Sequence, residues 1–290
     1  MARRLTVLAC ALPLLAAAAC GSSSGAGTVA AASGSAAPSA AADCSPASLK
    51  TQKAGTLTVA TDKPAYEPWF SGDDPGNGKG FESAVAYAVA EQLGYDKAAV
   101  TWATASFNSV IAPGPKNFDI DLNQVSINPA RKKAVDFSSG YYDVAQTVIA
   151  MKSSKIAGAK SLADLKGAKL GAQVGTTSYI AITDQIVPTK QPAVYDTNDL
   201  AKLALKNGQI DGLVVDLPTA FYITAAELED AAIVGQLPVG ASPEQFGIVL
   251  DLGSPLTGCV TKAVDALRAD GTLAALGKQY LAQAGAPELR

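Results

Sequence analysis

The chain has 290 residues, 48% of them hydrophobic and 17% charged, with a formal net charge of −3 and no histidine. That is enough for one large or two medium domains with cores of their own, and too apolar for a disordered chain. The acidic balance and the lack of a basic run exclude nucleic acid as a partner, and without histidine neither a Ser–His nor a Cys–His nucleophile can be built.

Arg3 and Arg4, the apolar run "LTVLACALPLLAAAA" and the small residues ending in "AAAC" read as a signal peptide over 1–19, with Cys20 as the lipidated first residue of the mature chain. Losing both arginines takes the formal charge to about −5. Residues 21–43 are Gly, Ser, Ala, Thr, Val and Pro up to Asp43. They cannot bury enough apolar area to offset their ordering entropy, so 20–49 is expected to be a flexible tether with a reach of roughly 25 Å. No second long apolar segment follows, so the mature chain is expected to sit outside the cell membrane on its lipid. Cys10 leaves with the signal and Cys20 takes the lipid. Cys44 and Cys259 then form an even pair in an oxidising compartment, and a disulfide is expected between them. Two thiols without histidine make a poor zinc set.

From Gly55 strands and helices alternate. "TLTVAT" (56–61) reads as a strand. "FESAVAYAVAEQLG" (81–94) reads as a helix with Phe81, Val85, Ala88, Val89 and Leu93 on one face and Gly94 ending it. "VTWATA" and "FDIDL" are the next strands, then "KLGAQV". "TSYIAITDQIV" and "LAKLALKNG" are helices, "DGLVVD" a strand, "LPTAFYITAAEL" a helix and "FGIVLD" a strand. Two closing helices begin at "PLTGCV" and "GTLAAL". This alternation predicts parallel α/β sheets with helices on both faces, and ligands in such sheets bind beyond the carboxyl ends of the strands.

Polar residues stand at four such ends: Asp62, Ser126, Gly175-Thr176-Thr177 and Asp216. Singly, each has an ordinary structural reading. Asp62 fits a turn, Asp216 fits a helix N-cap before Leu217-Pro218, and "GTTS" fits a helix start. Together with Arg131 they make a set. Arg131 offers a bidentate cation for a carboxylate. A helix starting near Thr176 offers free N–H groups to the same anion. Asp216 offers a carboxylate for a cation, and Tyr66 and Phe107 offer apolar walls. A ligand with a carboxylate and an ammonium a few ångströms apart, an α-amino acid, matches them.

The ordered motifs "GTLTVATD", "KGFESAVAYAVAEQLGY", "FDIDLNQVSINPARKKAVDFSSGYY", "SLADLKGAKLGAQVGTTS", "LKNGQIDGLVVDLPTA" and "RADGTLAALGKQYL" together resemble the family 3 extracellular solute-binding proteins, the amino-acid receptors of ABC importers. The resemblance runs from about residue 55 to 283. It implies an α/β fold of the two-lobe periplasmic-binding-protein type II. Each lobe is then a central sheet flanked by helices, and a two-strand hinge joins them. Lobe one would take 50–144 plus 241–290 and lobe two 145–240. It further implies that Arg131 binds the ligand α-carboxylate, helped by Ser126, Asn128, Gly175, Thr176 and Thr177. Asp216 would take the α-ammonium, and Tyr66 and Phe107 would line the side-chain pocket. Gln124 stands where a small residue is common in the family, placing an amide at the cleft floor. One extra residue separates Asp62 from Tyr66. The amides and Asp62 suggest a polar side chain on the ligand.

The resulting expectation is a lipid-anchored, monomeric extracytoplasmic receptor that hands a polar amino acid to an ABC permease, using neither cofactor nor metal. An enzyme on the same fold, a dehydratase acting on a small carboxylic acid, is the competing class. It needs a general acid in the cleft, and Glu67 is the residue available for that role.

Overall fold

A computed structural model describes residues 43–282 and 285–290; the signal peptide, Cys20 and most of the tether lie outside them. The first lobe is built from β1 (Leu57–Thr61), α1 (Phe81–Gln92), β2 (Val100–Thr104), α2 (Phe107–Ile111), β3 (Ile120–Asp121) and β4 (Val135–Val144). The chain then crosses at Ala145 into β5 (Gln146–Met151), α3 (Leu162–Leu165), β6 (Leu170–Gln173), α4 (Thr177–Ala181), β7 (Ala193–Tyr195), α5 (Asn198–Lys206), β8 (Gly212–Asp216), α6 (Leu217–Tyr222) and β9 (Ala231–Gln236). It returns through β10 (Glu244–Asp251) and ends in α7 (Thr257–Ala269) and α8 (Thr272–Tyr280). Both α4 and α6 continue as a π turn, over Ile182–Ile186 and Ile223–Glu227.

The described strands form two five-stranded sheets, ordered β2-β1-β3-β10-β4 and β7-β6-β8-β5-β9. Both are mixed, not parallel as the alternation predicts. β1 runs parallel to β2 and β3, but β10 is antiparallel to β3 and β4, and β5 is antiparallel to β8 and β9. The reason is the double crossing. β4 leads directly into β5 in the other sheet, and β9 returns into β10, so these four strands run against their neighbours. Both sheets are covered on both faces, which is why the strands read as apolar runs. In β8, Val214 faces one core with Val148 and Leu170, while Leu213 and Val215 face another with Ile149 and Leu205. In the first lobe, Leu57, Val59, Ile120 and Ile248 join an aromatic core of Trp69, Phe70, Phe81, Tyr141 and Phe246, and Ala60 and Val249 point to the opposite side.

Two boundaries differ from expectation. The stretch 43–49 is not free tether. Ser48 donates to Asp43 at 2.6 Å, Leu49 packs on the first core, and the Cys44–Cys259 disulfide ties the turn to α7. The last residues leave the first lobe: Leu289 is buried in a second-lobe core, and Leu289 N and Gln236 O bond at 2.9 Å. Leu289 burial, with the bonds from Gln236 N to Pro287 O at 2.8 Å and from Leu162 N to Arg290 O at 3.1 Å, offsets part of the cost of ordering this tail. Among the described residues no helix is long and apolar enough to cross a membrane.

Candidate functional site

The two sheets point their strand ends at each other, and the residues there meet. Arg131 opens a short 3-10 turn after β3. Its guanidinium is buried, 6% exposed, and reaches across the cleft. Nη1 donates to Ser126 O at 2.6 Å and Nη2 to Gly175 O of the other lobe at 2.9 Å. The Phe107 ring lies 5.3 Å away, a cation–π contact. Burial lowers the Arg131 pKa to about 10, with Glu244 and then Asp216 opposing.

Gly175 carries φ +73, where a side chain would be strained, and it turns β6 into α4. Thr176 caps that helix: its hydroxyl donates to Gln173 O at 2.7 Å and accepts from Tyr179 N at 3.2 Å. Thr177 Oγ1 lies 3.2 Å from Ser126 Oγ across the cleft, and Trp69 Nε1 donates to Thr219 Oγ1 at 2.9 Å. These contacts hold the lobes together over a cavity of ≈ 30 Å³ lined by Tyr66, Phe107, Gln124, Arg131, Thr176, Thr177, Ser178, Asn198, Val215, Asp216 and Thr219.

Asp216 stands at the N-cap position of α6 but makes no capping bond with its side chain. It turns instead to Gln146, whose Nε2 donates to Oδ1 at 2.8 Å. Burial, reinforced by Glu244, raises its pKa to about 8; the Gln146 bond pulls the other way. No ion pair within 4.0 Å among the described residues includes Arg131 or Asp216.

Gln124 has φ +49, a conformation that suits glycine. Glu82 offsets the strain. Buried beneath the floor, it accepts from Gln124 N at 2.8 Å, from Gln124 Nε2 and from the Tyr141 hydroxyl. Burial raises its pKa to about 7, and those three bonds limit the rise.

Several expected site residues do other work. Asp62 is not in the cavity lining; its carboxylate accepts from Lys63 N at 2.7 Å and Phe107 N at 3.2 Å, fixing the start of α2. Asn128 caps the turn that carries Arg131, accepting from Arg131 N at 2.9 Å. Ser126 and Gly175 sit behind the lining and hold the guanidinium through their carbonyls. Glu67 lies outside the cavity, beside Lys79 and Tyr280, and accepts from Gly72 N at 3.0 Å. Sequence reasoning missed Glu82, Gln146, Asn198, Thr219 and Glu244. Glu244 opens β10 and accepts from Thr177 Oγ1 at 2.6 Å and from Ser126 Oγ. Its partners come from 67 and 118 residues away in the chain, so no local pattern marks it.

Comparison with known proteins agrees with this architecture. The model of the bacterial extracellular solute-binding proteins, family 3, matches residues 57–283. The L-cystine-binding protein TcyJ of Escherichia coli (strain K12) is 30% identical over 234 residues, covering 80% of this chain and 84% of that protein. The ABC transporter arginine-binding protein 1 of the same strain is 32% identical over 215 residues, covering 70% and 82%. Among solved structures, an ancestral arginine-binding protein bound to glutamine superposes with a TM-score of 0.65 at 30% identity, covering 78% of this chain and 97% of that one. With two lobes, two crossings and a polar cleft between the sheets, the chain belongs to the bacterial extracellular solute-binding proteins of family 3.

Proposed function

We propose that this protein is an extracytoplasmic receptor for a polar α-amino acid, which it delivers to an ABC importer. The observation that carries the reading is the pairing of Arg131 and Asp216 on one small cavity, each without an ion-pair partner among the described residues. Arg131 takes the α-carboxylate with its remaining N–H groups. Asp216 takes the α-ammonium, and Thr176 and Thr177 close the lobe-two side. Tyr66, Phe107 and Gln124 receive the side chain. Ser126, Asn128, Gly175 and Asp62 hold that set in place. Two relatives named for cystine and arginine binding support the ligand class. The lobes move about 144–146 and 236–244, and the ligand favours the closed form because its carboxylate touches both lobes. Cys20 carries the lipid that keeps the protein at the outer face of the membrane, and the receptor acts as a monomer. Catalysis is not part of the reading: the relatives are named for binding, and Glu67, the acid expected for a dehydratase, lies outside the cavity. A thermal-shift screen of the common amino acids and cystine tests the proposal. A ligand at a hundred times its Kd adds about 2.7 kcal/mol; a flat screen rejects it.

A further inference from the structure

The order of strands in the two sheets sets the direction of a ligand side chain. In the second lobe β8, which ends at Asp216, lies beside the crossing strand β5. The end of β6 leads to Thr176, and the end of β7, outermost, leads to Asn198. Strands lie about 4.8 Å apart, so Asn198 stands about 10 Å outward of Asp216 along this row. In the first lobe β3, which leads to Arg131, lies beside the crossing strand β10, while β1 and β2 lead to Tyr66 and Phe107 farther out. With the α-ammonium on Asp216 and the α-carboxylate on Arg131, Gln146 and Glu244 close the hinge side. The side chain is left the outward direction, between Tyr66 and Asn198. These two meet across the cleft. The Tyr66 hydroxyl lies beside Thr197 and the backbone of Asp199, the neighbours of Asn198, and Lys202 of the same helix is 5.7 Å from the Tyr66 ring.

This end of the cavity carries no charge. Arg131 and Asp216 are the two charged residues of the lining. The charges just outside it are matched: Lys202 pairs with Asp199 and Glu227 at 2.8 Å each, and Asp62 accepts from two backbone N–H groups. The groups left over are neutral. The Tyr66 hydroxyl is buried without a hydrogen bond. Thr197 caps α5, accepting from Leu200 N at 3.2 Å, and the Asn198 side chain makes no hydrogen bond among the described residues. Thr219 accepts from Trp69 and keeps its own proton, and Gln124 gives an amide proton to Glu82 and keeps its carbonyl oxygen. Donors and acceptors are thus both on offer. A carboxamide, with two N–H groups and a carbonyl, pairs with both kinds. A guanidinium only donates and meets no free carboxylate, a carboxylate only accepts and meets no free cation, and an apolar end leaves every one of these groups unpaired.

We propose that Asn198 is a specificity-determining residue which, with the Tyr66 hydroxyl, reads the end of the ligand side chain, and that the class it selects is the α-amino acids with a neutral carboxamide side chain. This rests on the amino-acid reading above and deepens it.

The test is calorimetry with L-glutamine, L-asparagine, L-arginine, L-glutamate, L-cystine, L-norleucine and the α-amide of glutamine, on wild type, Asn198→Leu, Asn198→Asp and Tyr66→Phe. Wild type should bind one of the two carboxamides at least about tenfold more tightly than arginine, glutamate, cystine or norleucine. Asn198→Leu should cut the preference for the carboxamide over norleucine by about tenfold, and Tyr66→Phe, which keeps the ring, should cut it in the same direction. Asn198→Asp should raise binding of arginine relative to glutamine by about tenfold or more. All three variants should still prefer glutamine to its α-amide, because that preference belongs to Arg131; a variant that has merely lost its fold loses both. Tighter wild-type binding of any of the other four amino acids than of both carboxamides overturns the inference and leaves the amino-acid reading standing. So does an unchanged carboxamide preference in folded Asn198→Leu or, where that variant does not fold, in Tyr66→Phe. Failure of wild type to bind any common amino acid or cystine removes the amino-acid reading, and this inference with it.

Discussion

Gln146 and Asp216 face each other across the β5–β8 ladder as register partners, and the Gln146 amide donates to the Asp216 carboxyl at 2.8 Å. One end of each strand is therefore joined at the hinge, on the wall proposed to receive the ligand cation. A neutral amide satisfies Asp216 without neutralising it, and burial beside Glu244 raises its pKa to about 8.

Ligand binding should release a proton. At pH 7 the ligand-free Asp216 carries one, and an ammonium docking there requires the carboxylate. Affinity should fall about tenfold per pH unit below about pH 7. Calorimetry in buffers of different ionisation enthalpy should give close to one proton released at pH 6.5. Buffer-independent heats would contradict the assignment.

Stability of the ligand-free protein should fall from pH 5 to pH 8. Asp216 and Glu82 have folded pKa values of about 8 and about 7, both above their ordinary values. The folded state then binds more protons than the unfolded state between the two values of each group, so stability decreases as pH rises through that window. The penalty is absent below the unfolded pKa and complete above the folded one. Urea midpoints at pH 5, 6, 7 and 8 check this; a rise over that series would reverse the sign.

Asp121 offers a stability test away from the ligand. Its carboxyl is fully buried with neither oxygen hydrogen-bonded, level with Ala60 and Val249, which face an apolar core. Burial drives its pKa well above the usual carboxylate range. Asp121→Val removes the unsatisfied group and should stabilise by about 1–3 kcal/mol, whereas Asp121→Asn leaves a buried amide in the same position and should not. Equal melting temperatures for Asp121→Val and wild type would refute this.

Much of the element order is legible, as in the apolar runs of β6 and β8, but β5, β7 and β9 are not among the stretches read as strands. The antiparallel crossings are not legible, because nothing within β4 or β10 says which sheet the next strand joins. The cation and anion of the site, Arg131 and Asp216, show in the sequence as charges at strand ends. Asp62 shows the same signal but is used by the backbone of α2. Glu244 and Gln146 have no local signature, since their geometry exists only once residues 98 apart are brought together at the hinge.

The disulfide should stabilise the first lobe. Cys44 and Cys259 lie 215 residues apart with a sulfur–sulfur distance of 2.02 Å. A loop that long gives roughly 5–5.5 kcal/mol in the chain-entropy model, and loss of native disulfides costs about 2–5 kcal/mol. Cys259→Ser should lower the melting temperature accordingly. Two thiols titrating in denatured, unreduced wild-type protein would contradict the bridge.

The most direct test of the amino-acid site is calorimetry on Arg131→Ala and Asp216→Asn with the amino acid selected by the thermal screen, its α-amide and its des-amino analogue. Each substitution should weaken binding of the parent by about 100-fold or more while leaving the fold intact, since losing one member of a desolvated charge pair costs about 2–5 kcal/mol. Arg131→Ala should no longer prefer the free acid to the amide, and Asp216→Asn should no longer prefer the amine to the des-amino compound. If both variants melt as folded proteins and bind all three compounds as wild type does, Arg131 and Asp216 do not hold an α-amino acid.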